Sequence, residues 1–373
     1  MNENQSYERY HRQMLLKEIG VEGQKKLLQS KVLVVGAGGL GCPALQYLAA
    51  AGIGTIGIVD NNVVSLTNLH RQVLYSTNDI GLPKAERAVA VLQSLNPDIQ
   101  IIPYNLRLTN QNALDIIKQY DIVADGTDNF STRYMINDAC VLLNKPLVYA
   151  AISRFEGQVA IFNCSKDINE KPVNYRDLFP NPPAEDEVMN CAVGGVLGVL
   201  PGIVGSMQAN ETIKLITGIG QPLINRLLTY NALTNQVYEL SLTASDESDS
   251  LLPKDKDAFM NTDYEWACAA NHSVEVDANQ FNSLLKNDNI TVIDVRELNE
   301  KPLVTEFDHI HIPLHHLNAK AFSLKGDIFI TFCQSGGRSM QAAKLLFDTF
   351  GTAKKIYSLK GGILNWKNHS QKQ

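Results

Sequence analysis

Three glycines with the spacing G-x-G-x-x-G, Gly36, Gly38 and Gly41, lie between an apolar run and a helical pattern. Glycine lets the backbone turn tightly and approach a phosphate, whose charge is stabilised at the N-terminus of the following helix. The next apolar run ends in Asp60, where a carboxylate would bind a ribose hydroxyl. The order of strand, glycines, helix, strand and acid therefore predicts a nucleotide-binding site.

The charges that follow indicate which nucleotide binds. Arg71 and Lys84 come soon after Asp60. A dehydrogenase has no need of cations here, whereas the charge of a triphosphate must be met by them. Because ligands bind at the carboxyl ends of parallel strands, Asp128, just past such a strand, is placed to hold Mg²⁺ against phosphates. A structural role as a turn cap is the better expectation for Asp125.

Cys333 is a second reactive group, in the loop Cys333-Gln334-Ser335-Gly336-Gly337-Arg338-Ser339 between a buried strand and a helix. Backbone N–H groups, the helix N-terminus and Arg338 all lower a thiol pKa and favour the nucleophilic thiolate. A buried structural cysteine is the commonest fate of this residue type, but the two glycines and the arginine disfavour it here. The pattern predicts a thiolate loop and leaves phosphatase and sulfurtransferase chemistry both open.

A parallel sheet must bring the nucleotide-site residues together. Apolar runs alternate with helical patterns, which predicts an α/β fold with a doubly wound, mostly parallel sheet. Strands are predicted at 31–35, 55–59, 99–102, 122–125, 147–151 and 158–162, and helices at 43–50, 84–95, 111–119, 131–143 and 198–217. The proline-rich and acidic segment 164–190 is predicted to be a long exposed loop.

A second α/β unit is expected after a polar stretch. Residues 241–273 are rich in Ser, Asp, Lys and Asn, so we assign 1–245 to the first domain, 246–273 to a linker and 274–373 to the second domain. In the second domain the pattern predicts strands at 291–296, 328–332 and 355–357, with helices at 278–286 and 338–350. The Cys333 loop follows the middle one of these strands.

The composition excludes several classes of function. The 373 residues are 45% hydrophobic and 19% charged, which is typical of a globular protein. A net charge of -6 argues against nucleic acid as the main partner, and no apolar run reaches the ~20 residues of a membrane span. Six cysteines without C-x-x-C spacing, and an N-terminus without a signal-peptide core, predict reduced thiols in a cytoplasmic protein.

Residues 7–240 resemble the MoeB/ThiF/HesA adenylyltransferases, which are relatives of the ubiquitin-activating enzymes. The resemblance rests on motifs in order along the chain: Arg9-Tyr10-His11-Arg12-Gln13, Gly36-Ala37-Gly38-Gly39-Leu40-Gly41, Asp60, Asn68-Leu69-His70-Arg71-Gln72, Lys84, Asp125-Gly126-Thr127-Asp128-Asn129 and Cys191-Ala192-Val193-Gly194-Gly195-Val196-Leu197-Gly198. It implies a Rossmann-like, ThiF/MoeB-like domain.

Residues 274–370 look like a small α/β rhodanese domain. The matching segments are Ile293-Asp294-Val295-Arg296-Glu297, Ile312-Pro313-Leu314, the Cys333 loop and Leu359-Lys360-Gly361-Gly362. The whole chain resembles the adenylyltransferase–sulfurtransferases that serve small ubiquitin-like sulfur carriers of the MoaD or ThiS type. The implied reaction uses ATP and Mg²⁺ to adenylylate the Gly-Gly carboxylate of the carrier. A persulfide on Cys333, formed from a cysteine desulfurase or thiosulfate, then gives a thiocarboxylate.

The resemblance also implies roles for individual residues. Those implied to bind ATP are Gly36, Gly38, Gly39, Gly41, Asp60, Thr67, Asn68, Leu69, His70, Arg71, Gln72, Lys84, Asp128 and Asn129. Those implied to be catalytic are Arg12, Arg71, Lys84, Asp128, Cys191 and Cys333, with Asp128 as the ligand of Mg²⁺. Arg12 would reach the triphosphate of the partner across a homodimer. Cys191 matches the cysteine with which some members form a covalent link to the carrier.

One departure from the family concerns zinc. The family usually binds structural Zn²⁺ through two C-x-x-C pairs. The first pair should fall where this chain has Asn174-Tyr175-Arg176-Asp177, and past Leu240, where the second should fall, only Cys268 remains. Because four thiolates form the usual closed zinc site, we predict that structural zinc is absent.

Three alternatives stay open. The first is a non-catalytic scaffold that only holds carrier and sulfur donor, which the intact Arg71, Lys84, Asp128 and Cys333 disfavour. The second is an NAD-dependent oxidoreductase, which the basic residues and the missing substrate domain disfavour. The third is the same enzyme acting in one of several pathways: thiamine synthesis, molybdopterin synthesis, cysteine synthesis or tRNA thiolation. The sequence does not choose among them.

Overall fold

The computed structural model describes residues 7–165, 167, 169–181, 195–264, 274–287, 289–320, 324–350 and 354–370. The chain divides into two units, Met1–Ala267 and Cys268–Gln373. Each unit has a sheet of its own. Among the described helices, none combines the length and the apolar character needed to cross a lipid bilayer.

The first unit is built on an eight-stranded sheet. Its strands are β1 (Lys31–Val35), β2 (Thr55–Val59), β3 (Gln100–Tyr104), β4 (Ile122–Asp125), β5 (Leu147–Ser153), β6 (Glu156–Phe162), β7 (Arg226–Asn231) and β8 (Gln236–Ser241). They lie in the order β3-β2-β1-β4-β5-β6-β7-β8. The first five pair in parallel and the last three join antiparallel. The predicted doubly wound, mostly parallel sheet is confirmed.

Helices cover both faces of this sheet. They are α1 (His11–Met14), α2 (Gly20–Gln29), α3 (Gly41–Ala51), α4 (Lys84–Leu95), α5 (Ala113–Ile117), α6 (Phe130–Leu142), α7 (Tyr175–Leu178), α8 (Leu200–Thr217), α9 (Asp246–Asp249) and α10 (Lys256–Asn261). Alternate residues of β1 point to opposite faces, so Val34 packs in one apolar cluster and Leu33 in another. A strand that is buried on both faces reads as a continuous apolar run, which is why β1 was recognisable from sequence.

Most of the expected linker, 246–273, belongs to the first unit, and the linker prediction is wrong for residues 246–264. Ser245 and Asp255 are N-caps whose side chains accept hydrogen bonds from backbone N–H groups of α9 and α10. Phe259 is fully buried, and Tyr264 is only 6% exposed. The Ser- and Asp-rich composition therefore reflects helix caps and not a solvated linker. We call residues 245–264 the docked segment.

The predicted long exposed loop, 164–190, is also ordered in part. Within it, Val173, Asn174 and Tyr175 are buried, and α7 packs against α6. Arg176 forms a buried, two-pronged ion pair with Asp138, at 2.8 and 2.7 Å. The part of the predicted loop beyond residue 181 lies outside the described residues.

Tyr264 ties the docked segment to this ion pair, because its hydroxyl donates a 2.7 Å hydrogen bond to Asp138 Oδ2. Burial and the neighbouring Asp138 raise the pKa of Tyr264, so the hydroxyl stays a donor at neutral pH. We expect Tyr264→Phe to lower the free energy of unfolding by about 1–3 kcal/mol, because a hydrogen bond to a buried charge is lost. Urea unfolding of the full chain measures this, with Tyr238→Phe, on an exposed tyrosine, as the control. Equal stability of the two variants would contradict it.

The second unit has a five-stranded sheet in the order β11-β10-β12-β13-β9, in which neighbouring strands are all parallel. Its strands are β9 (Val274–Val276), β10 (Ile290–Asp294), β11 (Ile310–His311), β12 (Ile328–Phe332) and β13 (Lys355–Leu359). Its helices are α11 (Ala278–Leu284), α12 (Leu314–Lys320), α13 (Gly337–Phe350) and α14 (Gly362–Ser370). Apolar clusters fill both faces, which confirms the predicted small α/β unit.

Candidate functional site

The glycine turn lies where the strand order reverses, between β1 and β4. Gly36 has φ +92°, and a Cβ at this position would lie 2.8 Å from the carbonyl oxygen of Gly126. A Cβ at Gly41 would lie 1.8 Å from the carbonyl oxygen of Gly36. Both positions therefore exclude any side chain, and the turn leads directly into α3. A crevice at such a switch point is where ligands bind in open α/β sheets.

Asp60 fixes this turn to the end of β2. Its Oδ2 accepts a 2.9 Å hydrogen bond from the backbone N–H of Ala37, and its Oδ1 accepts one of 2.8 Å from Asn62. The carboxylate is 8% exposed. Each oxygen keeps a second lone pair, so Asp60 is able to hold the turn and to accept a further hydrogen bond from a ligand hydroxyl.

Lys84 is a buried cation beside the turn. It is 6% exposed, and among the described residues its ammonium forms no ion pair. The hydroxyl of Tyr75 lies 2.9 Å from the carbonyl oxygen of Ala37 and 3.3 Å from that of Lys84, so it joins the turn to the start of α4. Because a buried charge without a partner is costly, this arrangement points to an anionic ligand.

Arg71 and Gln72 approach the same turn from a neighbouring loop. A Cβ on Gly39 would lie 3.6 Å from Cδ of Arg71, and one on Gly38 would lie 3.6 Å from Nε2 of Gln72. Gln72 is 4% exposed, and its Oε1 has no hydrogen-bond partner in the part of the chain that the structure describes. Arg71 donates to the carbonyl oxygen of Thr67 at 3.1 Å. The loop thus brings a cation and an unsatisfied amide to the turn.

Three polar residues at the end of β4 and just after it, Asp125, Asp128 and Asn129, differ in burial and in the contacts that they make. Asp125 is 1% exposed, and its Oδ1 accepts hydrogen bonds from the N–H and the hydroxyl of Thr127, which matches its expected structural role. Asn129 caps α6 by accepting a 2.9 Å hydrogen bond from the N–H of Thr132. Asp128 is exposed at the same edge of the sheet as the glycine turn. Its carboxylate is therefore accessible to a metal ion.

Cys333 lies between β12 and α13, in a second site that belongs to the second unit. Its Sγ accepts a hydrogen bond of 3.2 Å from the N–H of Gly336 and lies 3.6 Å from Oγ of Ser339. Burial alone would raise the pKa of Cys333. Hydrogen bonds from the Ser339 side chain and from backbone N–H groups of the loop outweigh the burial and lower the pKa below the usual thiol value. The loop therefore favours a nucleophilic thiolate.

The ThiF family model matches residues 10–251, and the rhodanese-like domain model matches residues 277–369. The chain belongs to the ThiF family. Its first unit is the ThiF-family unit, and the second is a rhodanese-like unit. The resemblance on which the sequence analysis relied is confirmed.

Named relatives cover one unit or both. The sulfur carrier protein adenylyltransferase of Thermus thermophilus is 52% identical over 63% of this chain and 87% of its own length. The adenylyltransferase and sulfurtransferase MOCS3 of Xenopus laevis is 37% identical over 96% of this chain and 85% of its own. The probable adenylyltransferase/sulfurtransferase MoeZ of Mycobacterium tuberculosis is 40% identical over 97% and 93%.

Solved structures agree with the fold. A crystal structure of E. coli MccB with MccA-N7isoASN superposes with a TM-score of 0.57 at 24% identity, over 64% of this chain and 73% of that one. A crystal structure of PaaA gives a TM-score of 0.54 at 21% identity, over 65% and 75%. At these identities the likeness shows the fold of the ThiF-family unit alone.

The remaining site residues predicted from sequence are spread over the ThiF-family unit. Arg12 lies exposed on α1. Thr67 and Asn68 form a short 3-10 turn, and Leu69 packs against the core. His70 lies beside Gly198, where a Cβ would come 2.6 Å from the His70 carbonyl oxygen. Cys191 lies outside the described residues.

Two contacts of these sites were missed from sequence. One is the Tyr75 hydroxyl, and the other is Glu300, which accepts two hydrogen bonds from the guanidinium of Arg338 at 2.5 and 2.6 Å. Glu300 and Arg338 lie 38 residues apart in the chain. No local pattern signals such a pairing, because it depends on the fold that brings the two segments together.

Proposed function

We propose that this protein adenylylates the C-terminal carboxylate of a small ubiquitin-like sulfur-carrier protein and converts it to a thiocarboxylate. The observation that carries the proposal is the presence in one chain of Lys84, a buried cation at a nucleotide turn, and Cys333, a thiol with a lowered pKa. Relatives that span both units bear the names adenylyltransferase and sulfurtransferase, which supports the pairing of these two chemistries.

In the first step, the carrier carboxylate attacks the α-phosphate of ATP, and pyrophosphate leaves. Asp60 accepts hydrogen bonds from the ribose, and the backbone of the glycine turn approaches the phosphates. Arg71 and Lys84 neutralise the charge that develops on the phosphate oxygens. Phosphoryl chemistry of this kind depends mainly on positioning and charge stabilisation, which suits cations held on a rigid turn.

Asp128 fits the requirements of a magnesium ligand. Its carboxylate is exposed at the sheet edge, and Mg²⁺ is commonly bound by one or two carboxylates together with substrate phosphates and water. When bound, Mg²⁺ would neutralise phosphate charge. The residues of the chain orient the nucleotide around that position, with Asn129 and Asp125 keeping the loop after β4 in place.

In the second step, a persulfide on Cys333 attacks the acyl carbon of the adenylate, and AMP leaves. The product is an acyl disulfide between the carrier and Cys333. A thiol then attacks Sγ of Cys333, so that the S–S bond breaks, the carrier thiocarboxylate is released and the thiol forms a disulfide with Cys333. A second thiol reduces this disulfide and restores Cys333. Cysteine desulfurase or thiosulfate supplies the sulfur. The reducing cytoplasm, where thiols persist, suits this chemistry.

The proposal is tested by incubating the full chain with ATP, Mg²⁺, thiosulfate and MoaD- or ThiS-like carriers, followed by intact-mass analysis of the carrier. A carrier whose mass shows the exchange of one oxygen for sulfur supports it. ATP–pyrophosphate exchange measured in parallel separates the two steps. A protein that binds carrier but gives neither exchange nor thiocarboxylate would be a scaffold, and the proposal would fail.

We also infer a homodimer in which Arg12 acts on the partner's triphosphate. The segment after β2 carries five exposed apolar side chains, 43–67% accessible, which is typical of a surface that another chain covers: Val63, Leu66, Val73, Ile80 and Leu82. Arg12 is itself exposed, and no hydrogen bond or ion pair to another described residue holds its side chain.

Mixed dimers test this inference. Arg12→Ala and Asp128→Ala chains should each be inactive alone. Mixed in equal amounts and allowed to exchange, they should recover about a quarter of wild-type exchange activity, because half the dimers are hybrids with one intact site. The measurement is ATP–pyrophosphate exchange after hybrid formation is verified by tagged pull-down. Verified hybrids without activity would exclude action across the dimer.

We predict that structural zinc is absent, and the contacts at one of the expected cysteine positions support this prediction. Asp177, at one expected cysteine position, accepts four hydrogen bonds, two from Asn174 and one each from Ser245 and Ser248. The bonds from Ser245 and Ser248 join α7 to the docked segment directly. Metal analysis after dialysis against a weak chelator should find much less than one zinc per chain, with no loss of thermal stability. About one retained zinc per chain would refute it.

A further inference from the structure

The Cys333 loop has one cation, Arg338, and a carboxylate outside the loop already neutralises it. Glu300 holds the guanidinium through two parallel hydrogen bonds, the geometry of the strongest arginine–carboxylate pairs. The side chains of Arg338 and Glu300 are 36% and 23% exposed, so the pair lies at the surface of the loop and not beneath it. Any anion that approaches Cys333 therefore meets a cation that is already paired with a carboxylate through two of its five N–H donors.

Further negative charge surrounds the same guanidinium. Glu300 and, more weakly, the Cys333 thiolate and Glu297 all raise the pKa of Arg338. In turn, the hydrogen bonds from Arg338 and from the backbone N–H of Glu297 lower the pKa of Glu300 to about 2, so it stays ionised at neutral pH. One cation thus faces two carboxylates and a thiolate.

The segment that carries Glu300 is held against the loop. The N–H of Glu297 donates a 2.8 Å hydrogen bond to Glu300 Oε1, and Arg296 donates one of 2.9 Å to the carbonyl oxygen of Pro302. Arg296 is itself fixed by a buried ion pair with Asp294. Gln334, next to Cys333, donates to the carbonyl oxygen of Lys301 at 3.4 Å. Glu300 is therefore held in place as a partner of the loop.

We propose that Glu300 is a specificity-determining residue that withholds Arg338 from small dianionic sulfur donors and so disfavours thiosulfate against a protein persulfide. Transfer from thiosulfate forms a bond between Cys333 Sγ and the sulfane sulfur, and sulfite leaves with the electron pair of the broken S–S bond. A dianion and a dianionic leaving group need a free cation near the thiolate. Transfer from a protein persulfide, R–S–SH, gives Cys333–S–SH and the thiolate R–S⁻. This leaving group carries one negative charge, whereas sulfite carries two.

This inference rests on the proposed sulfurtransferase role of Cys333. The test compares wild type, Glu300→Gln and the control Glu297→Gln, an equal charge change on an exposed carboxylate that does not hydrogen-bond to Arg338. Steady-state thiocyanate formation from thiosulfate and cyanide gives KM and kcat. Intact-mass analysis of the protein after incubation with a purified cysteine desulfurase and L-cysteine measures how much persulfide Cys333 receives from a protein donor.

We expect Glu300→Gln to raise kcat/KM for thiosulfate about tenfold or more, mainly through a lower KM, because a two-pronged guanidinium becomes available to the dianion. Glu297→Gln should change it by less than about threefold, since its effect is only long-range. Loading from the desulfurase should stay within about twofold of wild type in both variants. Added salt should reduce the thiosulfate gain.

An unchanged or lower kcat/KM for thiosulfate in Glu300→Gln would overturn the inference, since Glu300 would then serve only to orient Arg338. An equal gain in Glu297→Gln would overturn it as well, because the effect would be general electrostatics. Glu300→Asp, which keeps the charge, should behave as wild type. If Cys333 accepts sulfur from neither donor in the wild type, the proposed function itself fails, and this outcome is distinct from a failure of the role of Glu300.

Discussion

Cys333→Ala should abolish formation of the carrier thiocarboxylate, with a fall of at least about a thousandfold, because the nucleophile that carries the sulfur is gone. ATP–pyrophosphate exchange should remain at the wild-type rate, since Cys333 belongs to the rhodanese-like unit and the nucleotide residues to the ThiF-family unit. Intact-mass analysis of the carrier and an exchange assay on the same preparation measure both. Thiocarboxylate made from thiosulfate by the variant would refute the role of the second unit.

Two other cysteines, Cys191 and Cys164, serve as comparisons for Cys333. Cys191→Ala should slow the overall reaction without ending it, because a persulfide is able to attack an acyl-adenylate directly. Cys164 is a half-buried thiol whose pKa is raised by burial, whereas hydrogen bonds lower that of Cys333. Alkylation by iodoacetamide, followed by peptide mass spectrometry across pH 5–9, should therefore modify Cys333 at lower pH than Cys164. The reverse order would contradict the thiolate assignment.

Asp128→Ala should lower ATP–pyrophosphate exchange by about a hundredfold or more, because the proposed carboxylate ligand of Mg²⁺ is removed while the cations stay in place. The fold should persist, since Asp128 is exposed and the loop after β4 is held by Asp125 and Asn129. The measurements are radiolabelled pyrophosphate exchange at saturating carrier and thermal unfolding.

Asp121→Ala is the matched control for Asp128→Ala. Asp121 is also exposed, but it precedes β4 at the amino end of the strand, where it accepts a hydrogen bond from the N–H of Lys31. This variant should keep near wild-type exchange activity. Equal losses in the two variants would indicate a general effect of removing charge, and wild-type exchange in Asp128→Ala would refute the metal-ligand role.

Much of the candidate nucleotide site could be predicted because its signals are local. A buried parallel strand gives a continuous apolar run, and the two glycines whose Cβ atoms would clash must stay glycine, so both features appear in the sequence in order. The doubly wound topology then places the carboxyl ends of β1, β2 and β4 at one edge. Because Asp60 follows β2 and Asp128 follows β4, this topology brings both residues to the same edge.

The features that sequence reasoning missed depend on contacts between distant segments. The Ser and Asp residues around 245–255 predict a linker by composition, yet two of them are helix caps, and Phe259 packs the segment into the core. Glu300 is one acidic residue among several in its stretch, and only the fold pairs it with Arg338. The composition of a segment does not reveal which of its residues makes a particular contact, whereas the fold depends on those individual contacts.

The hydrogen bond from Tyr264 to Asp138 spans 126 residues of chain, and it sets the order of events during synthesis. The ribosome releases a chain from its N-terminus, so Asp138 and Arg176 emerge long before Tyr264 does. Until residue 264 has left the exit tunnel, the nascent ThiF-family unit has an unfilled place for Phe259, and Asp138 has Arg176 but not Tyr264 as a hydrogen-bond donor. Non-local contacts of this kind form late, so the ThiF-family unit completes its fold only when the start of the rhodanese-like unit is being made.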